Sequence, residues 1–239
     1  MLLHLAQRLV GEARSRLFDW THRVETCAEA PEAARGPSDP GGPVDSEPEY
    51  APSQVSLLRE LFGTLDIAYE RFTFVDLGSG KGRALLVASE FPFARIVGVE
   101  RDARLHEIAS RNVQRFRSRS QRCNDIECLH RDALQFPFPT GPLVVYMYTP
   151  FRPPVLVPLL RNLQASYARQ PRDIILLYAA PLHREVVTAE TSLAPSHASR
   201  DFIAFRTPAD LPTVAGRRAG SGVSGTQKPR DGTEHRTVA

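Results

Sequence analysis

One stretch of the chain combines residue types that could hold a reactive ligand. The run Phe72-Thr73-Phe74-Val75-Asp76-Leu77 is apolar, β-branched and aromatic, and it ends on a carboxylate. Gly78-Ser79-Gly80-Lys81-Gly82-Arg83 follows, and then the helical pattern Ala84-Leu85-Leu86-Val87-Ala88. Strand, glycine loop and helix in that order aim backbone N–H groups and a helix N-terminus at whatever binds beyond the strand's carboxyl end. Two further carboxylates occupy equivalent places. Glu100 closes the apolar run Arg95-Ile96-Val97-Gly98-Val99, and Asp132 follows Asp125-Ile126-Glu127-Cys128-Leu129.

Three ligands compete for the loop. A phosphate-binding P-loop requires G-x-x-x-x-G-K-[ST]; here Gly78 is too close to Lys81, and Gly82 stands where the magnesium-binding hydroxyl belongs. A dinucleotide fingerprint, G-x-G-x-x-G/A, places Arg83 at its sixth position and Asp76 against the pyrophosphate. Two like charges at ~4 Å repel by about 4 kcal/mol at an effective dielectric of ~20. A nicotinamide-dependent oxidoreductase is therefore disfavoured. S-adenosylmethionine carries an ammonium, a sulfonium and a carboxylate and has no phosphate. Asp76 suits its cationic end, and Gly78, Ser79 and Gly80 allow close backbone approach. Glu100 is placed for both ribose hydroxyls, and Asp132 with Ala133 for the adenine edge. Glu100 and Asp132 would each also serve as caps of the elements after them; their order behind D-x-G-x-G favours the cofactor.

The elements that position these residues alternate. Strands are expected at about 71–77, 95–100, 125–129, 143–148, 173–178 and 201–205. Helices are expected at about 2–18, 54–64 (with Ser53 as N-cap), 83–91, after Asp102, over Leu156–Tyr167, and near 183–190. Continuous apolar strands between helices predict a doubly wound, mostly parallel α/β sheet covered on both faces. Asp76, Glu100, Asp132, Tyr148 and Tyr178 would then gather along one rim. The expected organisation is an N-terminal helical segment (1–27), a Pro/Gly-rich linker (28–49), an S-adenosylmethionine-binding domain (50–207) and a disordered tail (208–239).

Composition narrows the setting. The chain has 239 residues and a formal net charge of +3, too small to imply a nucleic-acid partner. Arg111, Arg115, Arg117, Arg119 and Arg122 read as a solvated helix end with no interleaved aromatics for base stacking. Three cysteines without a ligand pair indicate reduced thiols, no metal and a cytoplasmic setting. No run approaches the ~20 apolar residues of a membrane span. Nothing points to an oligomer.

Val75-Asp76-Leu77-Gly78-Ser79-Gly80-Lys81-Gly82-Arg83 resembles motif I of class I S-adenosylmethionine-dependent methyltransferases, and Gly98-Val99-Glu100 and Arg131-Asp132-Ala133 resemble its next two cofactor motifs. The chain is most similar to a bacterial subfamily of largely unassigned substrate. Its members carry Tyr-x-Pro-Ser/Thr before the domain, as in Tyr50-Ala51-Pro52-Ser53, and the first motif F-V-D-x-G-S-G-K-G-R. Their fourth strand ends in tyrosine, asparagine, proline and phenylalanine, and a proline and a histidine follow the fifth, as Pro181 and His183 do here. The resemblance covers about residues 50–190. Upstream, Phe18-Asp19-Trp20-Thr21-His22-Arg23-Val24-Glu25-Thr26 is similar to a segment that precedes the domain in that group. Thr149 departs from the pattern, standing where the subfamily has asparagine.

The resemblance implies transfer of a methyl group from the cofactor to an unidentified acceptor. Tyr148-Thr149-Pro150-Phe151 partly resembles the Asn/Asp-Pro-Pro-aromatic motif of amino-methylating enzymes, which gives an amine nitrogen slight preference. Tyr148, Thr149 and His183 are the candidate catalytic residues. Tyr50, Pro150 and Phe151 are candidate substrate contacts. A non-catalytic S-adenosylmethionine sensor or partner subunit is the alternative.

Overall fold

The computed structural model describes residues 2–27, 52–148 and 151–208, with side chains from residue 10 onward. Tyr50, Thr149, Pro150, the expected linker and the tail beyond 208 therefore lie outside the described residues. One compact unit spans Met1–Ala209; a second, Asp210–Ala239, is outside the described residues altogether.

Seven strands form one sheet in the order β3-β2-β1-β4-β5-β7-β6. They are β1 (Thr73–Leu77), β2 (Arg95–Glu100), β3 (Ile126–His130), β4 (Leu143–Tyr148), β5 (Ile174–Ala179), β6 (Ala194–Ala198) and β7 (Phe202–Arg206). β1 to β5 pair in parallel, and β7 runs antiparallel between β5 and β6. The helices are α1 (Leu2–His22), α2 (Val55–Gly63), α3 (Arg83–Ala88), α4 (Ala103–Arg115), α5 (Pro153–Arg169) and α6 (Arg184–Glu190). Chain order reverses between β1 and β4, the switch point at which open α/β sheets open a crevice beyond their carboxyl edge.

Each face of the sheet has its own core. Phe74, Ile96, Val144, Tyr146 and Leu177 meet Phe18 of α1, Leu58 and Phe62 of α2, and Leu85 to Ala88. Val75, Val97, Val145, Leu176 and Tyr178 meet Leu156, Leu159 and Leu163 of α5 and Val187 of α6. The alternation of strand side chains places Asp76 on the first face, the one that also receives α2 and α3.

Three details differ from expectation. Val10 and Leu17 are exposed, while Gly11, Ser15 and Phe18 turn inward. An added Cβ at Gly11 would stand 2.1 Å from Gln54 Oε1, and Phe18 packs with His22 and Phe116 at ring distances of 4.7 and 5.9 Å. Close backbone approach and aromatic packing thus turn inward a face other than that of Val10, Ala13 and Leu17, which continue the helical-period stripe Leu2, Leu5, Ala6 and Leu9 of the sequence. Ser53 does not cap α2; the N-cap position is Gln54, and Ser53 Oγ bonds Tyr146 OH at 2.5 Å. Tyr178 is one residue short of the end of β5, as Asp76 is in β1, but on the opposite face, where its ring is buried in the core with α5 and α6 and its hydroxyl meets the backbone of His183.

Candidate site at the carboxyl edge of the sheet

Asp76 is one residue short of the end of β1, level with Gly98 of β2 and Tyr146 of β4. Its carboxylate is 3% exposed. Burial, and secondarily the charge of Glu100, raise its pKa well above the usual carboxylate range. No hydrogen bond to it arises among the described residues, and its oxygens are not among the fully buried unpaired atoms, which are Ser15 Oγ and Arg172 Nε, so they border the open edge where a donor can reach them. A cationic donor is the partner that favours its ionised form there.

The loop beside it bends through three glycines with positive φ, Gly78 (78°), Gly80 (53°) and Gly82 (84°), a conformation that side-chain-bearing residues rarely adopt. Gly78 is exposed at the turn. The amides of Gly78 and Ser79 both bond the Val99 carbonyl, at 2.9 and 3.1 Å, and tie the loop to β2. Gly98 makes this approach possible. A Cβ there would stand 2.5 Å from Leu85 Cδ1 and 2.9 Å from Ser79 Oγ. The sequence pattern assigns Gly98 no role of its own; its contact with the loop appears only across strands.

Glu100 ends β2 and takes the Gly80 amide on Oε2 (2.7 Å) and the Asp102 amide on Oε1 (2.8 Å). A carboxylate has about four acceptor sites, so two remain for hydroxyl donors. Asp132 caps the 3₁₀ turn Ala133–Gln135 through Oδ1, which accepts the Leu134 amide at 2.9 Å; Oδ2 makes no hydrogen bond among the described residues. Ala133 is buried beneath this turn. Asp102, by contrast, is the N-cap of α4 and bonds the Leu105 amide at 2.8 Å.

On the far side of Asp76, Tyr148 ends β4 half-buried, with the half-buried Phe151 after it. His183 precedes α6, with Nδ1 3.8 Å from Glu185 Oε1. The edge therefore offers an anion for a cation at Asp76, hydroxyl acceptors at Glu100, a polar acceptor at Asp132, and Tyr148 on the far side.

Lys81 and Arg83 occupy places that the sequence pattern does not foretell. Both are buried, and both reach back to residues 25–27 rather than toward the rim. The arginine cluster after α4 behaves as a helix end: Arg117 Nη1 donates to the carbonyls of Gln114 and Phe116. Among the described residues no helix is long and apolar enough to cross a membrane, and no cluster of ligating side chains could hold a metal ion.

No family model and no curated protein matches the sequence. Solved structures do. A predicted N6-adenine-specific DNA methylase from Listeria monocytogenes aligns at TM-score 0.50 and 17% identity over 66% of this chain and 52% of that one. An RNA methyltransferase from Salinibacter ruber, in complex with S-adenosyl-L-homocysteine, aligns at 0.45 and 19% over 68% and 97%. TrmN from Thermus thermophilus aligns at 0.49 and 17% over 64% and 48%. The chain spans about half the length of the first and third of these. Sheet order and the alignment to the first structure agree on the architecture: the chain has the fold of class I, Rossmann-like S-adenosylmethionine-dependent methyltransferases.

Proposed function

We propose that the protein transfers a methyl group from S-adenosylmethionine to an acceptor, with an amine nitrogen as the nucleophile. The observation that carries the reading is Asp76: a buried carboxylate that accepts no hydrogen bond among the described residues, beside a left-handed glycine loop, at the switch point of the sheet. That vacancy in hydrogen bonding fits an ammonium, and the two remaining acceptor sites of Glu100 fit a pair of ribose hydroxyls. Asp132, whose Oδ2 makes no hydrogen bond among the described residues, supports the assignment of Asp132 and Ala133 to the adenine edge.

When bound, the cofactor supplies a methyl already activated by its sulfonium; the acceptor's lone pair forms the new bond as the carbon–sulfur bond breaks onto sulfur. The chain's own task is alignment and exclusion of water. Asp76 and the glycine loop anchor one end, and Glu100 anchors the other. The acceptor is assigned to Tyr148 and His183 together with Thr149, and Tyr50, Pro150 and Phe151 to further contacts, on the sequence pattern. The amine assignment rests on the likeness of residues 148–151 to the amino-methylating motif. A cytoplasmic location accords with the free cysteines.

Titration calorimetry tests the first half of the reading: S-adenosylhomocysteine binds, Asp76→Ala abolishes binding, and NAD gives no heat. Binding of NAD in its place overturns the reading. Tritiated-methyl transfer into fractionated lysate then identifies the acceptor class; label no higher than in the Asp76→Ala control marks a sensor rather than an enzyme.

A further inference from the structure

The residues after α1 do more than attach a helix to the domain. Arg23, with φ of 55°, ends α1, and the Val24 amide bonds the Asp19 carbonyl at 3.0 Å. The chain then runs through Glu25, Thr26 and Cys27 along the back of the glycine loop. Asp19 organises this turn: Oδ2 accepts the amides of Thr26 (2.7 Å) and Cys27 (2.8 Å), and Oδ1 accepts the Thr26 hydroxyl.

His22 Nδ1 meets the Arg117 carbonyl beyond α4 at 2.9 Å, and the hydrogen bonds from Glu25, Thr26 and Cys27 to the domain among the described residues go to the loop or to its neighbour Asn112. Arg83 donates from Nε to Thr26 Oγ1 (2.7 Å), from Nη2 to Cys27 Sγ (3.1 Å) and from Nη1 to the Ser53 carbonyl (3.1 Å). Lys81 Nζ donates to Glu25 Oε1 (2.9 Å) and to the Cys27 carbonyl (3.2 Å). Asn112 of α4 completes the set. Its Oδ1 accepts the Glu25 amide, while Nδ2 donates to the carbonyls of Glu25 and Lys81. Lys81, Arg83 and Asn112 are 2%, 4% and 2% exposed, so both loop cations are committed to this segment and shielded from water by it.

We propose that residues Asp19–Cys27 act as a positioning strap that holds the cofactor loop in its binding conformation before the ligand arrives. The inference rests on the cofactor assignment above. A loop that bends at three left-handed glycines is entropically costly to order. Val99 and Glu100 fix its first half, through the amides of Gly78, Ser79 and Gly80. The strap fixes its second half, through both side chains that flank Gly82. A ligand that meets an ordered loop does not bear the ordering cost, and its affinity rises accordingly. Linkage makes the effect reciprocal, so bound ligand tightens the strap.

Thr26→Val is the test variant, because it keeps volume and backbone while removing the hydroxyl that joins Asp19 to Arg83; Thr26→Ser restores the hydroxyl. In the ligand-free protein, hydrogen exchange at the amides of Gly80 and Gly82 should accelerate at least tenfold in Thr26→Val and return toward wild type in Thr26→Ser. S-adenosylhomocysteine should bind at least tenfold more weakly to Thr26→Val, again with rescue by serine. In the unaltered protein, added S-adenosylhomocysteine should slow exchange at Thr26 and Cys27. Unchanged loop exchange in a folded Thr26→Val overturns the strap whatever the ligand is. If Thr26→Val does not fold, unchanged exchange at Thr26 and Cys27 on ligand binding to the unaltered protein overturns it. Failure of the unaltered protein to bind S-adenosylhomocysteine refutes the cofactor assignment instead, and the ligand-free exchange still decides whether the loop is strapped.

Discussion

Asp76→Asn should move stability and binding in opposite directions. The substitution keeps the shape of the side chain and removes the charge. In the ligand-free protein that charge is buried, meets no donor among the described residues and lies in the field of Glu100. An unsatisfied buried polar group costs about 1–3 kcal/mol, and a charged one more. The pKa of Asp76 is raised on folding, so its favourable contribution is complete at acid pH and is lost as pH rises through the folded value. The gain from asparagine should therefore be smallest at acid pH and grow as pH rises through the raised range of Asp76. About 1–3 kcal/mol corresponds to a rise of several degrees in melting temperature for a chain of this size. Binding should suffer at the same time. Removing one partner of a desolvated charge pair costs about 2–5 kcal/mol, at least a thirtyfold loss of affinity for S-adenosylhomocysteine. Thermal melts across this pH range, paired with calorimetry, check both signs. A variant that is less stable at every pH and binds as tightly as the parent would show that Asp76 is a structural acid, and the reasoning would fail.

Three further outcomes follow from the same geometry. Because the acid must ionise to receive an ammonium, affinity should rise with pH through the raised range of Asp76, by at most tenfold per pH unit, with proton release seen as different binding heats in two buffers; Asp76→Asn should remove that slope. Gly98→Ala drives a methyl group into Leu85 and Ser79, so it should destabilise the fold by about 1–3 kcal/mol and weaken ligand binding through the displaced loop, read by denaturant melts and calorimetry. Ser53→Ala strands the buried Tyr146 hydroxyl at a cost of about 1–3 kcal/mol, whereas Ser53→Ala combined with Tyr146→Phe removes both partners and should recover most of the loss; equal melting of the single and double variants would contradict the assignment.

The parts of the molecule legible in the sequence are those governed by local rules. β1, β2, β4 and β5 lie within a residue or two of expectation, since each is a continuous apolar run closed by a polar residue or a turn. β6 went unread because Ala194-Pro195-Ser196-His197-Ala198 is exposed throughout and has no apolar pattern; it is a strand only because β7 offers it a free edge. The carboxylates at the strand ends were legible for a similar reason: a parallel sheet turns order in the chain into order along a rim. Tyr178 shows where that rule stops, since its place in β5 matches that of Asp76 in β1 while strand alternation turns its ring to the opposite face, into the core with α5 and α6.

Lys81 and Arg83 mark the deeper limit. Within the loop Arg83 reads as a reason to reject a dinucleotide, and Lys81 as part of a P-loop spacing that fails. Their partners lie more than fifty residues upstream, at Glu25, Thr26 and Cys27, and no local period predicts such a pairing. Once those contacts are known, the charge pattern around the loop takes on a physical order. The acid Asp76 accepts no hydrogen bond among the described residues, while the cations Lys81 and Arg83 are paired behind the loop. Had Lys81 or Arg83 turned toward the rim, it would have neutralised Asp76 and left nothing for a cationic ligand to complete. Keeping both basic groups occupied behind the loop is therefore as much a condition for binding a positively charged cofactor as the carboxylate itself, and it makes the upstream segment part of the site.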